Sequence, residues 1–441
     1  MTERMTWLAV LLTLTAVGCA HSPPPLVSDP GAGALPFEVT HAFNRGLSVA
    51  EGYMVSEIEE RRFTHDQLWS VLGPLIDSDV FTVEEAGHSI GGRSIMTVTF
   101  GQGPVTVLLW SQMHGDESTA TMALADIIRF LGEAVSDPLR NRLREQLTIV
   151  MIPMLNPDGA ELFQRRNAIG VDINRDARML ATPEAQILKE VRDRVDADFG
   201  FNLHDQNPHT QAGRDGPRAA IALLAPAADF ERSWGPARAR ARSVASIIAG
   251  ILETEIPGMV ARYGDAFNPR AFGDLMQQWG TSTVLIESGV LDNDPEKQRL
   301  RALNVAALLA ALDAVARDGL ASVDTIWYDN LPSNRGFTHD LLVRGGILIL
   351  AGAEQMKVDM AFAWEDGVSR SGLVLSEMGD LEEQYALEVI DATDLYIHLE
   401  SPFLSMESSG AWLLIDAPAA ITLRRGQNRE SELVLRIGGY N

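Results

Sequence analysis

From Gln102 onward, short apolar runs alternate with longer segments of helical period. Residues 105–110 are apolar apart from Thr106, the pattern of a strand buried on both faces of a sheet. In 118–134 the apolar positions Ala120, Leu124, Ile127, Ile128 and Leu131 fall on one helical face. Residues 147–155 predict a second buried strand, with Pro153 marking its end or an edge. Further strands are expected at 199–203, 219–224 and 281–286, and helices at 184–195, 233–254 and 301–316. Strands alternating with helices predict an α/β fold: a mixed, largely parallel sheet covered by helices. Beyond Gly319 the texture changes to short β-like runs separated by turns such as Asp366-Gly367 and Gly379-Asp380. That part predicts a small antiparallel β domain arranged as a sandwich.

The amino-terminal stretch reads differently. Residues 1–4 form a short polar start and 5–17 an apolar run of about 13 residues, below the roughly 20 needed to span a bilayer. Cys19 follows Gly18 directly and is the single cysteine of the chain, so no intramolecular disulfide and no multi-cysteine metal site can form. A lone cysteine after a small residue at the end of such a run resembles a bacterial lipobox. That resemblance implies a lipoprotein signal peptide at 1–18, a lipid anchor on Cys19 and a place in the cell envelope. Residues 19–36 carry five prolines and two glycines and read as a solvated tether. The expected organisation continues with a catalytic domain at 37–320 and an accessory β domain at 321–441.

Charge narrows the partners. Sixty acidic against 36 basic residues leave a net charge of −24 over 441 residues. No basic cluster stands out, so nucleic acid is excluded as a partner. The chain carries no Walker-type loop. Ser288 lacks the glycines two residues away on each side that a nucleophile elbow needs, since Ile286 and Val290 stand there.

A single histidine is by default a surface or hydrogen-bonded structural residue. His114 differs because it follows a buried strand and has Glu117 three residues on, at the start of the next helix. Ligands bind at that end of open α/β sheets. His204, just beyond the strand expected at 199–203, is the best third candidate. Two histidines and one carboxylate with an open fourth position make a catalytic zinc site. Glu287 leaves another apolar run at a strand end; half-buried there, it suits a general base, or else it pairs with an arginine at the sheet rim. Asp205 either holds His204 or faces solvent, and His209 reads as pocket rim.

His114-Gly115-Asp116-Glu117, Asn156-Pro157-Asp158-Gly159, Gly170 to Arg175, His204 and Glu287 occur in order, with Gly91-Gly92-Arg93 ahead of them. Over roughly residues 80–320 this series resembles the zinc carboxypeptidase family. The resemblance implies one Zn2+ held by His114, Glu117 and His204, with Glu287 as base and proton shuttle. It implies Asp172 as the carboxylate orienting the first histidine, and Asn174 and Arg175 as the grip on a substrate's terminal carboxylate. Arg165, or Arg166 in its place, would stabilise the oxyanion. The implied partner is a peptide with a free carboxyl terminus. Alternatives are a zinc-dependent deacylase of N-acyl amino acids or cell-wall peptides, and a binding lipoprotein without catalysis. Asp116 stands where the family often has arginine, which reverses one subsite charge. Tyr263, the single tyrosine between His204 and Glu287, lies in no recognisable motif and receives no role.

Overall fold

The computed structural model describes residues 37–441 apart from 215, 338, 351–354, 401–403, 408–409, 414–416 and 439–441. The expected signal peptide, Cys19 and tether lie outside the described residues. In chain order the strands of the first sheet are β1 (Phe81–His88), β2 (Ser94–Phe100), β3 (Val105–Ser111), β4 (Leu147–Ile152) and β5 (Phe199–Asp205). After the short β6 (Thr210–Ala212) come β7 (Ile221–Leu224), β8 (Val260–Arg262) and β9 (Ser282–Ser288). Eight of these nine, all but β6, form one sheet in the order β1-β2-β4-β3-β5-β9-β7-β8. The run β4-β3-β5-β9 is parallel, while β1, β2 and β7 bring antiparallel pairings to its flanks. This is the mixed, helix-covered sheet that the apolar pattern predicts.

Strand periodicity distributes each apolar run over two cores. Val107 and Leu109 of β3, Ile149 and Met151 of β4, and Phe201 and Leu203 of β5 face one core. Leu108, Trp110, Val150 and Ile152 face the other. The first core is covered by α1 (Phe37–Gly52), α2 (His65–Ile76), α3 (Thr119–Glu133), α4 (Pro138–Gln146) and later helices of the chain. The second lies under α6 (Pro183–Val195) and α8 (Phe272–Gln278); between α4 and α6 sits the short α5 (Pro157–Leu162), and α7 (Pro236–Glu255) precedes α8. α9 (Gln298–Ala316) is apolar nearly all round because it is sandwiched by α1, α3 and α7. Pro153 ends β4, which is a central strand between β2 and β3 rather than an edge.

The packing changes hands beyond Leu331 rather than at Gly319. Tyr328, in α10 (Ile326–Asp329), and Leu331 still belong to the first core. β10 (Asn334–Gly336) then pairs with β6 as a separate two-stranded ribbon. Beyond this ribbon lies a seven-stranded sheet built on the long strand His339–Ile349. The expected antiparallel sandwich needs correcting: His339–Ile349 pairs in parallel with both Ala386–Asp391 and Tyr396–Leu399. These two short strands run one after the other along a single edge, so neither reverses direction. Opposite them, Leu375 N donates to Ala417 O and Ala419 N to Leu373 O, which curls the sheet onto itself instead of splitting it in two. The strands Met356–Asp366, Ser371–Gly379, Ala420–Arg424 and Leu433–Gly438 and the hairpin Leu404–Glu407 with Gly410–Leu413 complete this part.

Candidate metal centre and its cavity

The centre sits at the carboxyl ends of β3, β5 and β9. Beyond β3 the backbone turns through Gln112, which holds a left-handed φ of 50°. Its side chain secures that turn, donating to Gly115 O at 2.9 Å and accepting from Thr121 Oγ1 at 3.0 Å. His114 therefore leaves the strand in a fixed direction, and Glu117 follows one turn later at the head of α3. Gly115 is required here because a Cβ would lie 2.0 Å from the carbonyl carbon of Gly159. The Asn156-Pro157-Asp158-Gly159 segment braces the whole entrance. Asn156 accepts from Gly159 N at 2.9 Å, capping α5, and donates to Met113 O and Arg165 O. Asp158 gathers Gly91 N, Ser89 Oγ and Arg93 Nη1, so the Gly-Gly-Arg turn and the Asn-Pro-Asp-Gly segment are two halves of one joint.

His114, Glu117 and His204 converge, with ligand atoms all within 4.8 Å of one another. Glu117 Oε1 lies 2.7 Å from His114 Nδ1, and Oε2 lies 2.6 Å from His204 Nδ1. The two Nδ1 atoms are 3.2 Å apart. All three residues are buried. The far nitrogen of His114 lies 3.1 Å from Asp172 Oδ1, so its N–H sits on that side and the Nδ1 lone pair faces His204 and Glu117. Two imidazole lone pairs and a carboxylate turned to one buried point form the donor set that fits zinc and leaves a coordination position open. Asp172 Oδ2 also accepts from Arg165 Nε at 3.0 Å, which directs Arg165 Nη1 to within 3.2 Å of Glu117 Oε1. Glu287 reaches the same region because β5 and β9 run in register, His204 beside Glu287.

Burial and charge set the proton affinities. Burial opposes the imidazolium of His114, but Glu117 and Asp172 outweigh it and raise its pKa to about 9. Burial works against the Glu117 carboxylate too, yet His114 and His204 hold its pKa far below the ordinary range. Asp172 is likewise depressed, by His114 and Arg165 against burial. Glu287 goes the other way: burial first, then the Glu117 charge, push its pKa well above the ordinary value.

A cavity of about 540 Å³ opens over these groups. His114, Glu117, Arg165, Asn174, Arg175 and Glu287 all line it. Asn174 Oδ1 accepts from Phe272 N at 2.9 Å, leaving its amide NH2 as the donor end, and Arg175 Nη1 donates to Asn174 O at 2.6 Å. His204 and Asp172 do not line the cavity but bond to Glu117 and His114 behind it. Arg166 is exposed and bonds Gly170 O, so Arg165 is the arginine at the centre. Asp205 neither bonds His204 nor faces solvent: its backbone N–H donates to Glu117 Oε2 at 3.2 Å, and its carboxylate accepts from Thr119 and Lys297. His209 lies 3.0 Å from Asp340 of the second sheet.

The structure adds residues to which the sequence assigns no role. Tyr263 lines the cavity, and the charge of Glu287, followed by burial, raises its pKa. Asp274 is pushed up to about 6 by burial. Asn202 shares the strand face of His204, two residues on, and its buried Oδ1 has no hydrogen-bond partner among the described residues. The period of two in β5 was the available signal for Asn202, and for Tyr263 its being the single tyrosine between His204 and Glu287; Asp274 had none.

Residues 76–214 match the family described as zinc carboxypeptidase. An uncharacterised Zymomonas mobilis protein is 29% identical over 132 residues, covering 29% of this chain and 34% of that protein. Carboxypeptidase 2 of Trichophyton tonsurans is 30% identical over 122 residues, 27% of this chain and 22% of its own. The chain therefore spans about a third or less of the length of these relatives. A metallo-carboxypeptidase structure from Burkholderia cenocepacia aligns over 58% of this chain and 70% of its own, at 20% identity and a TM-score of 0.47.

Proposed function

We propose, from the match of residues 76–214 to the zinc carboxypeptidase family, that this chain is a zinc-dependent metallocarboxypeptidase releasing residues from the carboxyl end of peptides. The observation that carries this reading is the convergence of His114 Nδ1, His204 Nδ1 and both Glu117 oxygens beneath a cavity that also holds Glu287 and Arg175. When bound there, zinc supplies Lewis-acid polarisation of the scissile carbonyl and a more acidic water. Glu287, with its raised proton affinity, takes a proton from the attacking water and passes it to the leaving amine. Arg165 presents Nη1 beside the metal ligands, where negative charge develops on the carbonyl oxygen. The amide of Asn174 and the guanidinium of Arg175 bind the terminal carboxylate, a pairing that guanidinium geometry favours.

The test compares matched peptides with free and amidated carboxyl termini, followed by mass spectrometry with and without a zinc chelator. Stepwise loss of single residues from the free-ended peptide alone, abolished by the chelator, is the expected result. Glu287→Gln should retain zinc and lose activity by about 10²–10⁴-fold. No cleavage of either peptide by protein carrying one zinc per chain would overturn the reading. The envelope location rests on Cys19: radiolabelled palmitate should enter the protein in bacteria and fail to enter the Cys19→Ala variant.

A further inference from the structure

We infer that the β6–β10 ribbon is a working wall of the substrate cleft, and that Asn334 and Gly336 contact the bound peptide. The identity of that ligand rests on the carboxypeptidase reading; the wall rests on geometry. β10 pairs antiparallel with β6, placing Asn334 opposite Ala212, Arg335 opposite Gln211 and Gly336 opposite Thr210. Side chains of a strand alternate between faces, so Asn334, Gly336 and Thr210 share one face and Arg335 takes the other. Asn334, Gly336 and Thr210 all line the cavity that holds Glu117 and Glu287, whereas Arg335 does not. The ribbon thus turns a flat face to the metal centre.

Its position is fixed from both ends. Asn334 Nδ2 donates to Gln206 Oε1 at 2.7 Å, and Gln206 is two residues beyond His204, with its own N–H on Ser288 O at 2.9 Å. Behind the ribbon, His209 Nε2 lies 3.0 Å from the buried Asp340, which also accepts from Trp364 N at 2.9 Å. The buried guanidinium of Arg218 bridges Pro208 O and Gly367 O. These bonds staple the loop after the second metal histidine to the second sheet. Gly336 is exposed, and a Cβ on it would meet nothing closer than His209 O at 3.8 Å. A side chain at 336 therefore has room to enter the cavity without disturbing the ribbon.

The experiment uses zinc-loaded full-length Gly336→Phe, with Arg335→Phe on the opposite face as control and thermal unfolding to confirm that both fold. Two quantities are read: KM and kcat for a free-ended peptide, and the rate at which dipicolinate extracts zinc. Gly336→Phe is expected to raise KM at least tenfold with a smaller change in kcat, and to slow extraction several-fold at unchanged zinc content. Asn334→Ala should raise KM less, and Arg335→Phe should match wild type in both. If wild type cleaves and Gly336→Phe leaves KM unchanged, the peptide does not touch the ribbon and the inference falls while the peptidase reading stands. If wild type cleaves nothing but extraction is slowed in Gly336→Phe, the wall stands and the peptidase reading falls. Unchanged extraction in a protein that cleaves nothing overturns both.

Discussion

Lys297 Nζ and Asp205 Oδ2 stand 2.9 Å apart with side-chain exposures of only 3% and 7%. The pair ties together the two strand ends that carry His204 and Glu287, because Lys297 also reaches Ser288 O at 3.4 Å. Asp205 passes the constraint on through its backbone N–H to Glu117 and through Oδ2 to Thr119 Oγ1. Lys297→Met leaves a buried carboxylate uncompensated beside the centre. It should cost about 3–5 kcal/mol in urea unfolding and weaken zinc binding. Adding Asp205→Asn should restore most of that stability; a double variant no more stable than Lys297→Met would refute the coupling.

Asp172 Oδ1 lies 3.1 Å from the far nitrogen of His114, so any effect of Asp172 on a metal held there would pass through the imidazole. Asp172→Asn keeps the shape but no longer favours the N–H on the far nitrogen, and it loosens Arg165. Competition with a fluorescent zinc chelator should show zinc affinity reduced about 10–100-fold. Affinity equal to wild type would mean that His114 is oriented by packing alone.

Gly115 packs against the backbone of Gly159, whereas a Cβ on Gly159 itself would lie 2.5 Å from Asn156 Nδ2 and 2.8 Å from Arg166 O and Gln164 O. In Gly115→Ala the new Cβ lies 2.0 Å from Gly159 C, a contact only a backbone shift can relieve. The expected loss is about 1–3 kcal/mol in thermal unfolding, with reduced zinc occupancy. Gly235→Ala, where nothing lies within 4 Å, is the control: it should keep wild-type zinc occupancy, with any stability cost confined to the weaker N-cap of α7.

The features legible in the sequence were those set by short-range interactions. Residues 105–110 announced a central strand because both faces are buried, and His114, Glu117, His204 and Glu287 each lie at or just beyond the end of such a strand. Asp172 and Arg165 were visible only through family likeness, since nothing local in 165–175 dictates that they meet His114. The role of 334–336 was hidden: Asn334 joins Gln206 across more than a hundred residues of intervening chain. The parallel pairing of 386–391 and 396–399 on one long strand was hidden too, because strand direction leaves no mark on apolar alternation.

Asp274 gives the cavity wall a pH-dependent cost. Burial raises its pKa from 3.8 to about 6, partly offset by the Asn268 N–H that it accepts and by Arg175. Between pH 4 and 6 the folded protein keeps a proton that the unfolded chain has released, so this group's stabilisation is complete below about pH 4 and lost as pH rises through about 6. Asp274→Asn keeps an acceptor for Asn268 N and never ionises. It should match wild type near pH 4 and exceed it above pH 6 by at most about 3 kcal/mol, a gap of roughly two pH units at 1.36 kcal/mol each. Urea unfolding at pH 4, 5, 6 and 7 reads this directly. A gain that is the same at every pH would show that Asp274 is not the titrating group, and a loss at pH 7 would show that Arg175 holds it charged.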